Sequence, residues 1–419
     1  MYPNLNGPKT MKRRTLFSTA AALAIIAQAG LATADVVKIG VLAPVSGPAA
    51  ADGEEMVNGA QLAVDTLNAA GGVAGYTFEL VVGDVVDGAA DKVTTAAERL
   101  LGDRDMGAIM TGYASGSNFE IELMAEMEMI YMLSANSSQT ESIIGPDPDA
   151  FPTIWSMTPS FAGYNTEIVP VIDGLAADGS LDLPNRKVAI IASDNPYSKG
   201  IADGMVVAFG EAGWEIVTND LVPAGEINDW RGFLGTVRDA EPAVIINTDW
   251  MSSNAALFVS QFNENPTDSL VFIQYAPSVP EFIELTKDQS SGIVYNLLGG
   301  ILNTPSNPRA QDVINKYEAR FGNEPGTYGA ALYEQVLIYA SALSEVGDPS
   351  DRLAIGAAIG ASETQTAMGK VMFDPATHLA VQSNDGIPIQ FYQIQDGNRA
   401  LFYPAVYKTG EFVEPAWMN

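Results

Sequence analysis

Apolar strand-like runs alternate with helix-like segments along nearly the whole chain, and this alternation limits the possible folds most strongly. The run at 36–42 ends in a loop containing Pro44 and Gly47, and residues 54–70 then carry apolar side chains at helical spacing. Repeated strand–helix units favour a parallel sheet, in which polar loops follow the carboxyl ends of the strands. The sequence therefore predicts an α/β fold with candidate binding loops at one edge of each sheet.

The strand-like runs form two successive groups of similar size, separated by a loop at 146–152. The first group is 36–42, 77–83, 106–111 and 130–133, and the second is 187–192, 214–222, 243–247 and 270–274. After residue 291 the order changes to a strand at 293–298, long helices at 310–321 and 328–346, and short strands at 370–373, 387–395 and 401–407. A turn signal at 395–398 joins the last two strands as a hairpin. The pattern predicts two doubly wound, Rossmann-like units.

Composition agrees with a large folded core. Hydrophobic residues make up 47% of the 419-residue chain and charged residues only 17%, so the chain can bury enough apolar surface to fold. Its length suggests two domains. The net charge of −30 argues against nucleic acid as a partner, because a protein that binds phosphates needs a positive surface.

The N-terminus has the pattern of an export signal. Lys12, Arg13 and Arg14 precede an apolar stretch at 16–29, and small residues end at Ala34, where cleavage is expected. A membrane-spanning helix needs about 20 apolar residues, and the stretch at 16–29 is shorter than that. A retained membrane anchor is therefore the weaker alternative. The paired arginines leave the twin-arginine and general export routes open. Met11 is an alternative start to Met1.

The scarcity of cysteine and histidine removes several kinds of chemistry. The sequence contains no cysteine, hence no disulfide, no thiolate nucleophile and no lipid-attachment cysteine. Its one histidine, His378, lies in a turn pattern at 374–378 between two short strands and is expected to be a surface or turn residue rather than a catalytic one. Nucleophile-elbow and phosphate-loop motifs are also absent. We therefore expect no enzymatic activity, no cofactor and no metal.

Several short motifs, in order along the whole chain after residue 34, resemble those of one family. They are the Pro-Val-Ser-Gly loop at 44–47, Leu-Asn-Ala-Ala-Gly-Gly-Val at 67–73, Gly-x-x-Ser-Gly-Ser at 112–117, Asp-Asn-Pro-Tyr-Ser-Lys-Gly at 194–200, Tyr-Glu-Gln-Val at 333–336 and Phe-Asp-Pro at 373–375. Together they resemble the type I periplasmic solute-binding proteins of the branched-chain amino acid, urea and amide transport class.

The resemblance implies two lobes joined by three crossovers, with a small polar ligand in the cleft between them. The crossings are expected near 157–160, 289–292 and 384–388. The first lobe would then contain residues 35–158 and 290–385, and the second lobe 159–289 and 386–419. The resemblance also implies a periplasmic monomer that delivers its ligand to an ABC permease in the inner membrane. A sensory receptor acting through a separate partner is the alternative.

The resemblance further implies ligand contacts in the loops that follow strands of both lobes. The expected contacts are Tyr113, Ser115, Gly116, Ser117, Ala135, Asn136 and Ser137 from the first lobe, and Tyr197, Asp249, Trp250, Tyr275 and Ser278 from the second. Free amides at a helix N-terminus favour an anionic or acceptor group, which fits the loop at 115–117. In the alternative interpretation, Ser115 or Ser117 only caps its own helix.

The expected ligand is an amino acid of the branched-chain type. Amino-acid-binding relatives carry an acidic residue in the loop that corresponds to 275–278, and none stands there in this sequence. Asp249 is therefore predicted as the ammonium partner, with Asp194 as the competing candidate. If neither acts so, the ligand would be neutral or anionic, such as urea, a short amide or a small organic acid.

The signal predicts that the exported protein begins at or near Asp35, because the small residues before it form a cleavage site. N-terminal sequencing of material from the periplasm checks this. Exported protein that still carries residues 16–29 would contradict it.

Overall fold

The computed structural model describes residues 35–418 of the chain. The predicted export signal and both candidate starts fall in residues 1–34, outside that range. Within 35–418, no helix combines the length and the apolar character needed to cross a membrane.

The first lobe is built on a five-stranded sheet with the strand order β2-β1-β3-β4-β5. The pairs β1–β3, β3–β4 and β4–β5 are parallel. Its elements are β1 (Asp35–Ala43), α1 (Ala50–Ala69), β2 (Tyr76–Asp84), α2 (Ala90–Leu101), β3 (Met106–Met110), α3 (Glu120–Glu126), β4 (Ile130–Leu133), α4 (Ser137–Ile144) and β5 (Ile154–Ser156). Strands β3, β4 and β5 are buried along their whole length, which explains their continuous apolar runs.

The second lobe is built on a seven-stranded sheet with the order β14-β13-β10-β9-β8-β6-β7. Pairing is parallel from β7 through β10 and antiparallel for β13 and β14. Its first elements are α5 (Ala162–Asp178), β6 (Lys187–Ser193), α6 (Pro196–Glu211), β7 (Glu215–Val222), α7 (Arg231–Ala240), β8 (Val244–Asn247), α8 (Ser252–Phe262), β9 (Leu270–Ile273), α9 (Pro280–Thr286) and β10 (Val294–Leu298).

The remaining elements return to the first lobe and then complete the second sheet. They are α10 (Pro308–Phe321), α11 (Thr327–Val346), α12 (Arg352–Gly360), the small ladder β11 (Thr364–Thr366) and β12 (Gly369–Val371), and the hairpin β13 (Ile389–Gln395) and β14 (Asn398–Tyr403). Helix α11 packs on α1 and β3, while α12 packs on β4 and β5. The hairpin turn has positive φ at Asp396 and Gly397, as a two-residue type I′ turn requires. The α/β architecture of two lobes is the one predicted.

Three segments connect the lobes: 157–161, 299–307 and 372–388. The predicted second crossing at 289–292 is wrong. Strand β10 pairs with β9 through Val294 and Phe272 and with β13 along its whole length, so it belongs to the second lobe. The sequence did not reveal this because an apolar run that is buried in either sheet has the same composition.

His378 also differs from its prediction. It follows the expected turn but is only 6% exposed, stacked on Trp155 with ring centroids 4.2 Å apart. Its Nδ1 lies 3.1 Å from the carbonyl oxygen of Ile154, and burial lowers its pKa. His378 is thus a packed residue beside β5 rather than a surface residue.

Close contact between α1 and α11 holds the first lobe together near the cleft. A Cβ atom built on Gly59 of α1 would lie 2.0 Å from the carbonyl oxygen of Gly329 in α11. Only a glycine permits this approach, since no real Cβ contact is that short. The packing fixes the position of α1, and therefore of the side chains in its first turn.

We expect Gly59→Ala to lower the free energy of unfolding by about 1–3 kcal/mol, because the two helices must separate. Gly174 is an exposed glycine inside α5 whose Cβ would meet nothing within 4 Å. Gly174→Ala should therefore be neutral or stabilise by roughly 0.5–1 kcal/mol. Chemical denaturation of both variants checks this contrast, and equal stabilities would contradict it.

Candidate functional site

A cavity of about 250 Å³ lies between the two lobes. The strand-end loops of both sheets and the first turn of α1 line it. Its lining residues are Pro44, Ala49, Asp52, Asp87, Gly88, Tyr113, Ala114, Ser115, Gly116, Ala135, Asn136, Asn195, Pro196, Tyr197, Trp250, Tyr275 and Tyr328. The lobes approach closely at its edge, since a Cβ on Gly116 would lie 3.6 Å from Cδ of Pro196. The volume suits a small organic solute.

Asp52 joins the two lobes across this cavity. It lies in the first turn of α1 and is 4% exposed. The hydroxyl of Tyr113, in the first lobe, donates a hydrogen bond to Oδ2 at 2.8 Å, and the hydroxyl of Tyr275, in the second lobe, donates one to Oδ1 at 3.0 Å. The carboxylate is therefore bonded to both walls of the cavity.

Five aromatic residues surround the cavity: Tyr113, Tyr197, Trp250, Tyr275 and Tyr328. The ring of Tyr113 packs edge-on against Trp250 of the opposite lobe, with centroids 6.1 Å apart, and against Tyr328 at 5.3 Å. Tyr275 lies 5.9 Å from Tyr328, which is again a contact between lobes. The first two pairs are edge-to-face, an arrangement that aromatic pairs prefer, and the third is tilted. They give the cavity rigid, largely apolar walls.

Burial changes the ionisation of two carboxyl groups on α1. It raises the pKa of Asp52 to about 6, while the hydrogen bonds from Tyr113 and Tyr275 lower it in part. Burial and the nearby Asp52 raise the pKa of Glu55 to about 8, and the backbone N–H groups of Gly329 and Gly326 oppose this rise. Asp52 is therefore mostly ionised at pH 7, whereas Glu55 is mostly protonated.

The loop at 115–118 is committed to its own structure. The Ser115 hydroxyl donates to Oε2 of the buried Glu120 at 2.6 Å and accepts from the N–H of Asn118 at 2.9 Å. Burial raises the pKa of Glu120. Ser115 lines the cavity, but its side chain already has both partners, and it does not cap α3, whose N-cap residue is Phe119. Ser117 is exposed and does not line the cavity, so its predicted contact is not supported.

The next loop presents its backbone and Asn136. This residue adopts the left-handed conformation, with φ of 53°, immediately before α4. Its side-chain N–H donates to the carbonyl oxygen of Ser115 at 2.8 Å, and Asn118 donates to the carbonyl oxygen of Asn136 at 3.1 Å. Of the three ligand contacts predicted in this loop, Ala135 and Asn136 line the cavity, whereas Ser137 is fully buried.

Asp249 does not occupy the predicted place. Its Oδ1 accepts from the N–H of Met251 at 2.9 Å and its Oδ2 accepts from Asn254 at 3.0 Å, so the carboxylate shapes the start of α8. It lies outside the cavity lining, although its neighbour Trp250 lines it. The competing candidate, Asp194, is exposed, and Asn195 rather than Asp194 caps α6 by accepting from the N–H of Ser198.

In the last predicted loop, Tyr275 lines the cavity and Ser278 does not. Tyr275 has a φ of +60°, which is unusual for a residue with a side chain and costs roughly 1–3 kcal/mol. Such strain is concentrated at ligand sites in proteins. Ser278 instead borders a separate cavity of about 430 Å³ near Tyr295 and Arg399.

Two cavity residues were not among the predicted contacts: Asp52 from α1 and Tyr328 from α11. Asp52 lies in an alternating run of small and acidic residues that reads as an exposed helix start. The one available signal was its position, since it follows β1 in the same way that Tyr113 follows β3. Tyr328 carried no signal, because α11 is apolar around its whole circumference.

Comparisons with known proteins agree with this arrangement. A family model described as periplasmic binding protein matches residues 36–398. The chain therefore belongs to the periplasmic binding protein family. It is 24% identical over 390 residues to the Leu/Ile/Val-binding protein homolog 7 of Brucella abortus, an alignment that covers 90% of this chain and 94% of the relative.

Solved structures show the same fold. A protein of Silicibacter pomeroyi, provisionally assigned to a branched-chain amino acid ABC transporter, superposes with a TM-score of 0.82 at 28% identity and covers 92% of this chain and 100% of its own. The branched-chain amino acid transporter substrate-binding protein of Streptococcus pneumoniae, solved with isoleucine, gives 0.72 at 21% identity, covering 91% of this chain and 100% of its own.

The hydrogen bonds of Ser115 predict a structural cost on its removal. Ser115→Ala would remove the donor from Oε2 of the buried Glu120, whose Oε1 still accepts from the hydroxyl of Tyr131 at 3.2 Å, so we expect the free energy of unfolding to fall by about 1–3 kcal/mol. Ser117→Ala, two residues away and exposed, should change it by less than about 0.5 kcal/mol. Urea denaturation checks this pair, and equal effects would show that the Glu120 contact contributes little.

Proposed function

We propose that this chain is an extracytoplasmic solute-binding protein that captures an amino acid of the branched-chain type between its lobes and delivers it to an ABC importer. The observation that carries the proposal is the cavity between the lobes, where the hydroxyl of Tyr275 from one lobe bonds Asp52 from the other. Three connecting segments allow the lobes to open about a hinge and admit a solute.

The chemistry of the lining supports a small amphipathic ligand. Rings and small residues supply apolar contact, while Asp52, Asn136 and the backbone of the strand-end loops supply polar groups. A few polar groups in a mostly apolar pocket are typical of sites for small molecules. The isoleucine-bound relative and the Leu/Ile/Val-binding relatives support an amino acid as that molecule.

The same proposal covers the partners and the compartment. We infer that the protein acts in the periplasm after cleavage of its signal, as a monomer, and that its partner is an ABC permease in the inner membrane. Membership in the periplasmic binding protein family supports this, since that family serves transport rather than catalysis. The proposal assigns no reaction, cofactor or metal to the cleft.

Ligand binding should raise the melting temperature, because a compound that binds only the closed native state stabilises it by mass action. The test is a thermal-shift screen of the twenty amino acids, urea, short amides and small organic acids, followed by calorimetry. We expect an aliphatic amino acid to bind. A screen in which no compound changes the melting temperature would contradict the proposal.

Trp250 offers a variant for the same test. Trp250→Ala should weaken binding by about tenfold or more, roughly 1.4 kcal/mol, because it removes a ring from the cavity wall. Val207, which is 58% exposed on α6 of the same lobe, is the control, and Val207→Ala should leave affinity unchanged. Equal affinities for the two variants would place the ligand outside this cavity.

A further inference from the structure

The charges around the cavity are unbalanced. Two acids line it, Asp52 and Asp87, and none of its described lining residues is a lysine, arginine or histidine. Asp87 is exposed at the edge, and its Oδ1 accepts from the N–H of Ala89 at 3.1 Å. Asp52 is thus the buried carboxylate of this cavity, and no cationic side chain on the lining opposes it.

The two tyrosine hydroxyls do not use all of the hydrogen-bond acceptor positions of Asp52. A carboxylate offers about four lone pairs, and Tyr113 and Tyr275 occupy one on each oxygen. They donate hydrogen bonds but bring no positive charge. A buried charge without a counter-charge is costly, and the high pKa of Asp52 reflects that cost. A cation in the cavity would relieve it.

The aromatic walls favour the same kind of group. The faces of tyrosine and tryptophan rings carry negative potential and attract ammonium groups, more strongly where water is excluded. Tyr113 contacts Trp250 and Tyr328, Tyr275 contacts Tyr328, and all four rings line the cavity that Asp52 faces. Such an arrangement of rings with one carboxylate suits a primary or a methylated ammonium.

We propose that the ligand presents an ammonium group to Asp52 inside this ring of aromatic side chains. The inference rests on the proposed function and specifies which group of the ligand meets Asp52. Amino acids, other amines and methylated ammonium compounds fit this site, whereas purely anionic or neutral solutes do not. It also moves the ammonium partner from Asp249, whose oxygens are occupied by Met251 and Asn254, to the first lobe.

The test uses two pairs of compounds that match in shape and differ in the positive group. Leucine is compared with 4-methylpentanoate, and choline with 3,3-dimethylbutan-1-ol, by calorimetry on the mature protein. We expect leucine or choline, which carry the positive group, to bind ten or more times tighter than the matched compound that lacks it. The proposal is overturned if the matched compound without the positive group binds as tightly, or if neither leucine nor choline binds at millimolar concentration.

Three variants test whether the preference for a positive group comes from the side chain of Asp52. Asp52→Asn should reduce the affinity for the compound with the positive group at least tenfold. The affinity for the matched compound without that group should stay nearly unchanged. Glu54→Gln removes an exposed carboxylate two residues away and should keep the wild-type preference. Tyr275→Phe removes the hydrogen bond between the lobes but keeps the negative charge of Asp52. It should therefore weaken the binding of both compounds by the same factor. The assignment to Asp52 would be overturned if Tyr275→Phe lost the preference for the positive group while Asp52→Asn kept it.

The wild-type protein supplies a test that does not depend on a variant folding. Below its pKa of about 6, Asp52 is protonated and loses its attraction for a cation. Affinity for leucine or choline should therefore fall about tenfold from pH 7 to pH 5. The tyrosines near Asp52 are Tyr113, Tyr197, Tyr275 and Tyr328, whose pKa values are all raised far above this range. The acids near it are Glu55, whose pKa is about 8, and Glu281. An affinity that is unchanged or higher at pH 5 would overturn the proposal.

The two proposals fail in different ways. If 4-methylpentanoate, 3,3-dimethylbutan-1-ol or a neutral amide binds and closes the lobes as well as its charged counterpart does, the protein is a solute-binding protein and only the ammonium inference is wrong. If nothing in either panel binds, both are wrong.

Discussion

The closed arrangement of this protein depends on one carboxylate. Asp52 keeps its two hydrogen bonds only while Tyr113 of the first lobe and Tyr275 of the second both face it. Opening the lobes would remove the second bond and expose the carboxylate to water. Closure therefore exchanges the hydration of a charge for two tyrosine hydroxyls. That exchange is unfavourable to an ionised group unless something else in the cavity compensates it.

The position of Asp52 depends in turn on how tightly α1 is packed. A Cβ on Gly53 would lie 2.3 Å from the carbonyl oxygen of Pro44, and one on Gly59 would overlap Gly329. Two glycines thus bring the helix against the loop after β1 and against α11. Glu55, one turn further along, lies against the N-terminal backbone of α11. The carboxylate at the cavity is held by a helix that has little freedom to adjust.

Much of the fold could be predicted from the sequence because strand burial and helix periodicity leave direct signals. The runs at 130–133 and 270–274 became β4 and β9 nearly unchanged. Helix α5 gave a weak signal, since it is interrupted by Pro170 and lies after a short strand. The lobe to which β10 belongs was not predictable from its own residues. That assignment depends on pairing with β9 and β13, and β13 lies about ninety residues further along the chain.

The site was partly predictable for a related reason. Loops after parallel strands meet at one edge of a sheet, so Tyr113, Trp250 and Tyr275 could be expected in the cleft from local pattern. Whether a polar side chain there faces the cavity or its own loop depends on which N–H groups lie within hydrogen-bonding distance, and local sequence does not determine this. Asp249 and Ser115 turned inward to nearby N–H groups, while Asp52 found donors on two different lobes. A carboxylate that no local N–H group satisfies must take its partners from elsewhere in the fold, and here that requirement places it at the boundary between the lobes.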